Sequence, residues 1–192
     1  MSAPGPVLIV VWGLPASGKT VLGSWIAREF RLALFEKDAF KETLFDTLGW
    51  RDRAWSQQLS LASNALLLRA AGAVLAADRA VVVESNFHPA EAAPQLRSLI
   101  EARGARALQI YCRTDPETLW QRFVTRAGER HPGHTDQLYL EEFRQLLQAP
   151  PPGPLDIGGE FVEVDTTDYA AIDYGQLRRV IQAALSPEAS SR

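Results

Sequence analysis

Eight consecutive residues, Gly13-Leu14-Pro15-Ala16-Ser17-Gly18-Lys19-Thr20, follow the pattern G-x-x-x-x-G-K-[ST]. That spacing suits the cradling of a phosphate chain. Glycines let successive backbone N–H groups turn inward toward phosphate oxygens. Lys19 adds a cation for the β- and γ-phosphates, and the Thr20 hydroxyl is placed to ligate Mg²⁺. A helix starting at this point aims its positive end at the same anion. The whole stretch, Gly13, Leu14, Pro15, Ala16, Ser17, Gly18, Lys19 and Thr20, is therefore the expected nucleotide-binding segment.

Phosphoryl transfer needs positioning, charge neutralisation and a base for the attacking hydroxyl. Asp38 is the candidate base. It follows Lys19 by one helix and one strand, which returns it to the sheet edge beside the loop. It would also cap a helix beginning at Ala39, and the two roles are compatible. Lys41, one helical turn later, is a candidate for an anionic part of the acceptor or for steadying Asp38; an ordinary surface lysine is the alternative. Glu84 ends a valine-rich run, where such proteins keep an acid that reaches Mg²⁺ through water. Asn86 is a candidate acceptor contact, or else makes the turn before Pro89.

The remaining candidates are cationic. Arg122, Arg126 and Arg130 are spaced by four and share a face if the helix continues. A lid carrying them would neutralise charge on the transferring group. Arg126 and Arg130 are the expected catalytic pair, with Arg122 on the nucleotide; a solvated helix face is the alternative. His131 and His134 follow at once. With only His88 and Cys112 besides, they make a poor zinc set, so substrate contact or lid structure is expected.

These residues need a scaffold, and the pattern supplies one. Val7–Trp12 is an uninterrupted apolar run that reads as a buried parallel strand. Further strands are expected at 32–35, 79–83, 105–112 and 160–164. Helices are expected at 21–30, 39–48, 55–77, 89–102, from Pro116 through Arg126, from Asp136 to about Gln148, and at 173–185. Asp115 and Pro116 form a cap and first turn, and Gly104 a stop. Gly128 to Thr135 interrupts the helical pattern and makes the region 122–136 a lid. Ala149 to Pro154 is a stiff connector, and 186–192 a flexible tail. Such alternation gives a mainly parallel five-stranded sheet with helices on both faces. Ligands bind beyond the carboxyl ends of its strands. The loop, Asp38, Glu84, Asn86 and Asp165 should then line one crevice. Phe40, Phe45, Trp50 and Trp55 lie where they would wall a small concave site, core packing being the alternative.

The chain has 192 residues, is 46% hydrophobic and carries a net charge of −3. This suits one compact domain over 1–192 and gives no global pull toward nucleic acid or membranes. A lone cysteine, Cys112, permits no internal disulfide and fits a reducing compartment. No signal peptide or membrane-spanning run is read from the sequence, so a cytoplasmic enzyme is expected, as monomer or homodimer.

The segments G-L-P-A-S-G-K-T, E-K-D-A-F-K and E-S-N-F-H-P, with the arginine-bearing lid, resemble P-loop kinases related to the polynucleotide 5′-hydroxyl kinase domain and chloramphenicol phosphotransferase, and more distantly the zeta-toxin kinases. The resemblance implies a P-loop NTPase three-layer α/β/α sandwich that uses ATP and Mg²⁺. It implies that Asp38 activates the acceptor hydroxyl and that Lys41 stands where polynucleotide kinases contact an acceptor phosphate. Those kinases usually carry arginine there, and Arg130-His131-Pro132-Gly133-His134 is outside their pattern. A small-molecule acceptor is therefore expected first. A 5′-hydroxyl polynucleotide is the alternative, and an ATPase or switch without an acceptor is the rival of another class.

Overall fold

The computed structural model describes residues 5–186. Its strands are β1 (Val7–Trp12), β2 (Ala33–Glu36), β3 (Val81–Ser85), β4 (Arg106–Arg113) and β5 (Glu160–Asp165). They form one sheet in the order β2-β3-β1-β4-β5, and every neighbouring pair is parallel. The central strand β1 is apolar throughout, and β3 through Val83, because both faces are covered. On one face Leu8, Val10, Val81 and Val83 pack against α3 (Arg53–Leu75) and α4 (Pro89–Arg103) through Leu67, Ala71, Leu75 and Leu96. On the other, Ile9, Val11, Val82 and Ile110 meet Leu22 and Ile26 of α1 (Lys19–Phe30) and Leu177 and Ile181 of α7 (Tyr174–Leu185). Each such Leu or Ile, fully buried, contributes roughly 1.5–3 kcal/mol of transfer free energy. The result is a three-layer α/β/α sandwich. The tail expected from 186 falls, past Ser186, outside the described residues.

A smaller core lies in the region expected to form a lid. Leu119 and Phe123 of α5 (Pro116–Ala127) pack with Phe143 of α6 (Leu140–Leu146), and Leu14 and Ala16 of the phosphate loop join them. The Phe123 and Phe143 rings stack at 3.9 Å between centroids. α5 and α6 are thus in apolar contact with the loop after β1.

Local signals explain most element ends. The Asp115 carboxylate accepts from the Glu117 and Thr118 N–H groups ahead of Pro116. Pro89 opens α4, and Gly104, at φ 56°, closes it. Most boundaries shift by one or two residues from the sequence reading, and two of the differences bear on the site. The helix α2 (Lys37–Leu48) starts two residues before Ala39, so Asp38 sits in its first turn and is not its cap. The helix expected from Asp136 to Gln148 is instead a 3-10 turn, Asp136–Tyr139, followed by the short α6. Asp136, the natural cap, commits its carboxylate to Arg130 and Arg126.

α3 also bears on the expectation of no membrane span. Its 23 residues, with a mean hydropathy of 1.2 in the best window, are long and apolar enough to cross a bilayer by length and composition. Here the helix lays Leu59, Ser63, Leu67, Ala71 and Leu75 against the protein interior.

Candidate active site

The phosphate loop connects β1 to α1. Gly18, at φ 82°, supplies the left-handed turn into the helix. A Cβ there would meet Tyr169 at 2.6 Å, and one on Gly13 would meet the Cys112 carbonyl oxygen at 2.6 Å. Glycine is therefore required at both places. The loop is braced from below by Thr166, whose hydroxyl donates to the Ser17 carbonyl at 2.8 Å. The Ser17 hydroxyl itself is buried without a hydrogen-bond partner among the described residues. Lys19 is 7% exposed and curls over the loop to donate to the Leu14 carbonyl at 2.8 Å. Burial lowers its pKa, against the pull of Glu84, Cys112 and Asp38.

Thr20 and Glu84 are brought together: the Thr20 hydroxyl donates to Glu84 Oε2 at 3.0 Å. Glu84 is 6% exposed, and burial raises its pKa. A hydroxyl and a carboxylate beside a phosphate cradle are hard oxygen donors of the kind Mg²⁺ takes. The orphaned Ser17 hydroxyl, the inward-curled loop and this oxygen pair fit a metal-bound nucleotide.

Asp38 lies across the crevice. Its carboxylate accepts from Lys37 Nζ at 3.0 Å through one oxygen and from Arg130 at 2.6 Å through the other. Burial alone would push its pKa up. The Lys37 ammonium and Arg130 guanidinium outweigh that and hold it well below the usual carboxylate range. The side chain remains 41% exposed, open to the crevice. Lys41 is buried and donates to Ser56 Oγ at 2.9 Å, and Ser56 donates to the Gly133 carbonyl at 2.8 Å. Desolvation and nearby Lys37 bring the Lys41 pKa down to about 8. It is no ordinary surface lysine.

The three arginines do not share one task. Arg122 donates to the Thr166 and Thr167 carbonyls, both at 2.8 Å, and lies over the Tyr169 ring at 4.3 Å. It stands beside Gly18, away from Asp38. Arg126 and Arg130 both reach Asp136, at 3.5 and 2.9 Å. Arg130 also binds Asp38, whereas Arg126 Nε has no partner among the described residues.

The histidines part as well. His134 is buried, and its Nε2 faces both Glu42 at 2.7 Å and Arg130 at 2.9 Å. It can serve only one, donating to the first or accepting from the second. His131 does not reach the crevice. It stacks on Phe45 at 5.0 Å, accepts from the Gly133 N–H and lies 3.3 Å from Asp46. Asp165, too, is not part of the crevice wall: it binds Arg113 and the Thr167 N–H. Its neighbour Thr166 is the residue that reaches the loop. Phe40 packs on Phe35, Phe45 lies beneath Gly133, and Trp50 is half exposed. The aromatic wall of the crevice comes from Phe123, Tyr139 and Phe143 instead.

Lys19, Asp38, Lys41, Glu84, Asn86, Arg126, Arg130 and His134 border one open cavity of about 310 Å³. Lys37, Ser56, Asp136 and Tyr169 belong to this arrangement and were not singled out from the sequence. Lys37 adjoins Asp38 and could have been suspected. Asp136 and Ser56 carry no motif, and Tyr169 is far from the loop in the chain.

Burial and Arg130 lower the His134 pKa from an ordinary 6.5 to about 3, so the folded ring is neutral. The unfolded chain takes up a proton below pH 6.5 and the folded chain does not, so acid favours unfolding across that window. Stability from this group is complete above pH 6.5 and falls toward pH 3. Replacing His134 by Asn should flatten the curve of Tm against pH between 6.5 and 4, read by circular dichroism. A variant curve parallel to wild type would show that His134 is not buried as a neutral ring.

A phosphate cradle at the carboxyl end of the central strand of a parallel sheet, with acids and arginines around it, defines a P-loop protein of the kinase-like α/β class. The family model described as an AAA domain matches residues 8–150, and the chain belongs to that family. A crystal structure from Chloroflexus aurantiacus j-10-fl, provisionally described as a kinase, is 34% identical and covers 95% of this chain and all of its own, with a TM-score of 0.86. A sugar kinase from Janibacter sp. HTCC2649 is 18% identical over 98% of this chain and all of its own, at a TM-score of 0.57. A structure from the PezAT toxin-antitoxin system of Streptococcus pneumoniae is 16% identical over 91% of this chain and 73% of its own, at 0.58. These last two share the fold alone. No curated protein matches the chain.

Proposed function

We propose that the chain acts as a single kinase domain, transferring the γ-phosphate of ATP to a hydroxyl of a small-molecule acceptor. The observation that carries this reading is the convergence of Lys19, Asp38 and two lid arginines on one cavity beside the phosphate loop. The provisional description of the Chloroflexus relative as a kinase supports it. Thr20 would hold Mg²⁺ and Glu84 would reach it through water. The metal supplies charge neutralisation at the phosphates. The loop amides and Lys19 bind the phosphate chain. Arg122, over Tyr169 beside Gly18, serves the rest of the nucleotide. Asp38 orients the acceptor hydroxyl and takes its proton as the new oxygen–phosphorus bond forms and ADP leaves. Lys41, Asn86 and His134 contact the acceptor or shape its site, while His131 supports the lid.

The arginines divide the work. Arg126, with a free Nε, is the better placed to meet charge developing on the transferred group. Arg130 holds Asp38 and Asp136 and thereby docks the lid on the base. A strongly depressed base is a weak one. An Arg130 that turns toward phosphate both neutralises it and releases Asp38.

Transfer of label from γ-labelled ATP across sugars, nucleosides, antibiotics and a 5′-hydroxyl oligonucleotide tests the proposal. Arg126→Ala should lower kcat roughly 10²-fold or more with little change in the KM for ATP, the pattern of a contact that tightens in the transition state. Arg130→Ala should lower kcat and also raise the acceptor KM. Wild-type kinetics in both would assign the lid arginines to structure alone.

A further inference from the structure

The crevice does not end at Asp38. A second cavity of about 280 Å³ runs from it between α3 and α4. Lys37, Ser60, Ser85 and Asn86 border both, so one molecule can occupy the two together. At ~30 Å³ per water, the extension has room for roughly nine waters, or one sugar-sized ring.

Its lining has a distinct chemistry. Asn64, Gln95 and Asn86 present carboxamides, and Ser60 and Ser85 present hydroxyls. The Asn64 carboxamide oxygen is buried without a partner among the described residues. Phe87 and Leu96, both buried, form an apolar floor. Full charges are few and already opposed. Lys37 is bound to Asp38 at 3.0 Å. Glu91 stands exposed in the first turn of α4, where it counters the positive helix end. Among the described residues its lining holds one histidine, His88, but no arginine and no lysine free of a carboxylate. A nucleic-acid backbone laid here would find only His88 and the carboxylate-bound Lys37 to meet its phosphates, where proteins that bind them use free Lys and Arg. A carboxylate ligand would face Glu91, and an ammonium ligand would face Lys37.

We infer that the acceptor is an uncharged, hydroxyl-rich molecule of more than one ring, with its reacting hydroxyl at Asp38 and its remainder between α3 and α4. Amides and hydroxyls that both donate and accept match the mixed hydrogen bonding of neighbouring hydroxyl groups. The Phe87–Leu96 floor matches the C–H face of a saturated ring. This inference rests on the kinase reading and narrows its acceptor.

The test uses the full chain with ATP and Mg²⁺ and matched acceptors: glucose against maltose, galactose against lactose, and a 5′-hydroxyl oligonucleotide. At least one disaccharide should exceed its monosaccharide in kcat/KM by about tenfold, and the oligonucleotide should be the poorest substrate. Asn64→Leu with Gln95→Leu should raise the disaccharide KM roughly tenfold, as loss of hydrogen bonds to a neutral ligand does. ATP binding, measured by calorimetry, should be unchanged. Gln95→Leu alone, at an exposed position, gives the same direction if the double variant is unstable. Preference for the oligonucleotide or another anionic acceptor, monosaccharides equal to disaccharides, or no effect of the variants would each overturn the inference and leave the kinase reading standing. Tight ATP binding with transfer to no hydroxyl compound would overturn both.

Discussion

Lys19→Ala abolishes phosphoryl transfer, with turnover falling by roughly 10³-fold or more, and weakens ATP binding while the fold survives. The reason lies in where the side chain stands. Its ammonium is the one cation inside the loop, donating to the Leu14 carbonyl at 2.8 Å and placed among Glu84, Asp38 and Cys112. Removing it takes away a charge already desolvated, the condition in which electrostatic stabilisation of phosphate is largest. The fold should tolerate the change, because Lys19 is the first residue of α1 and alanine is the better helix former. Circular dichroism should show an unchanged spectrum and a Tm within a few degrees. Calorimetry should show weaker binding of ATP with Mg²⁺. Near-wild-type turnover would remove the phosphate loop from the reaction and the kinase assignment with it.

The fold was legible because its signals are local and mutually consistent. Apolar runs such as Val7–Trp12 and Val81–Val83 mark buried parallel strands. Asp115-Pro116 and Gly104 mark helix ends by capping chemistry that needs no tertiary contact. The motif residues were legible for the same reason, since strand ends in such a sheet converge by topology. What failed depends on contacts between distant segments. Asp136 reads as a helix start until Arg126 and Arg130 claim its carboxylate. Asp165 reads as a crevice acid until Arg113, its partner across the β4–β5 ladder, binds it. His131 reads as a substrate ligand until Phe45 stacks against it. The four-residue spacing of the arginines hid a division, because α5 ends at Ala127 and Arg130 leaves the helix axis toward Asp38. Ser56 and Tyr169 sit in no motif, and only the packing of α2 on α3 and of the β5–α7 connection on Gly18 brings them in.

Asp38→Asn separates three roles for this residue, as catalytic base, as metal or structural ligand, and as anchor in a nucleotide-dependent switch. The substitution keeps the shape but only one of the two contacts, since the carboxamide oxygen can accept from Lys37 or from Arg130 while the NH2 turns a donor toward the other. It removes the negative charge and the capacity to take a proton. If Asp38 is the base, turnover with the acceptor should fall roughly 10²–10⁴-fold while ATP affinity stays close to wild type. Charge release adds a second effect. Lys37 and Arg130 lose their counter-ion and repel one another, so the lid should undock more readily. Hydrogen exchange at Gly133 and His134 should quicken, because the Arg130–Asp38 pair ties that segment to α2 alongside the His134–Glu42 contact and the Phe45–His131 stack. The pH profile gives an independent check. With Asp38 held ionised far below neutrality by Lys37 and Arg130, the wild-type rate should show no loss from this group between pH 5 and 8. In Arg130→Ala its pKa rises toward the ordinary range, and an acid limb should enter the profile from below. Equal loss of ATP binding and turnover in Asp38→Asn would make the residue a metal or structural ligand. Unaltered ATP hydrolysis with no phosphorylated product in either protein would make the chain a nucleotide-dependent switch, in which Asp38 serves to anchor Arg130 and the lid.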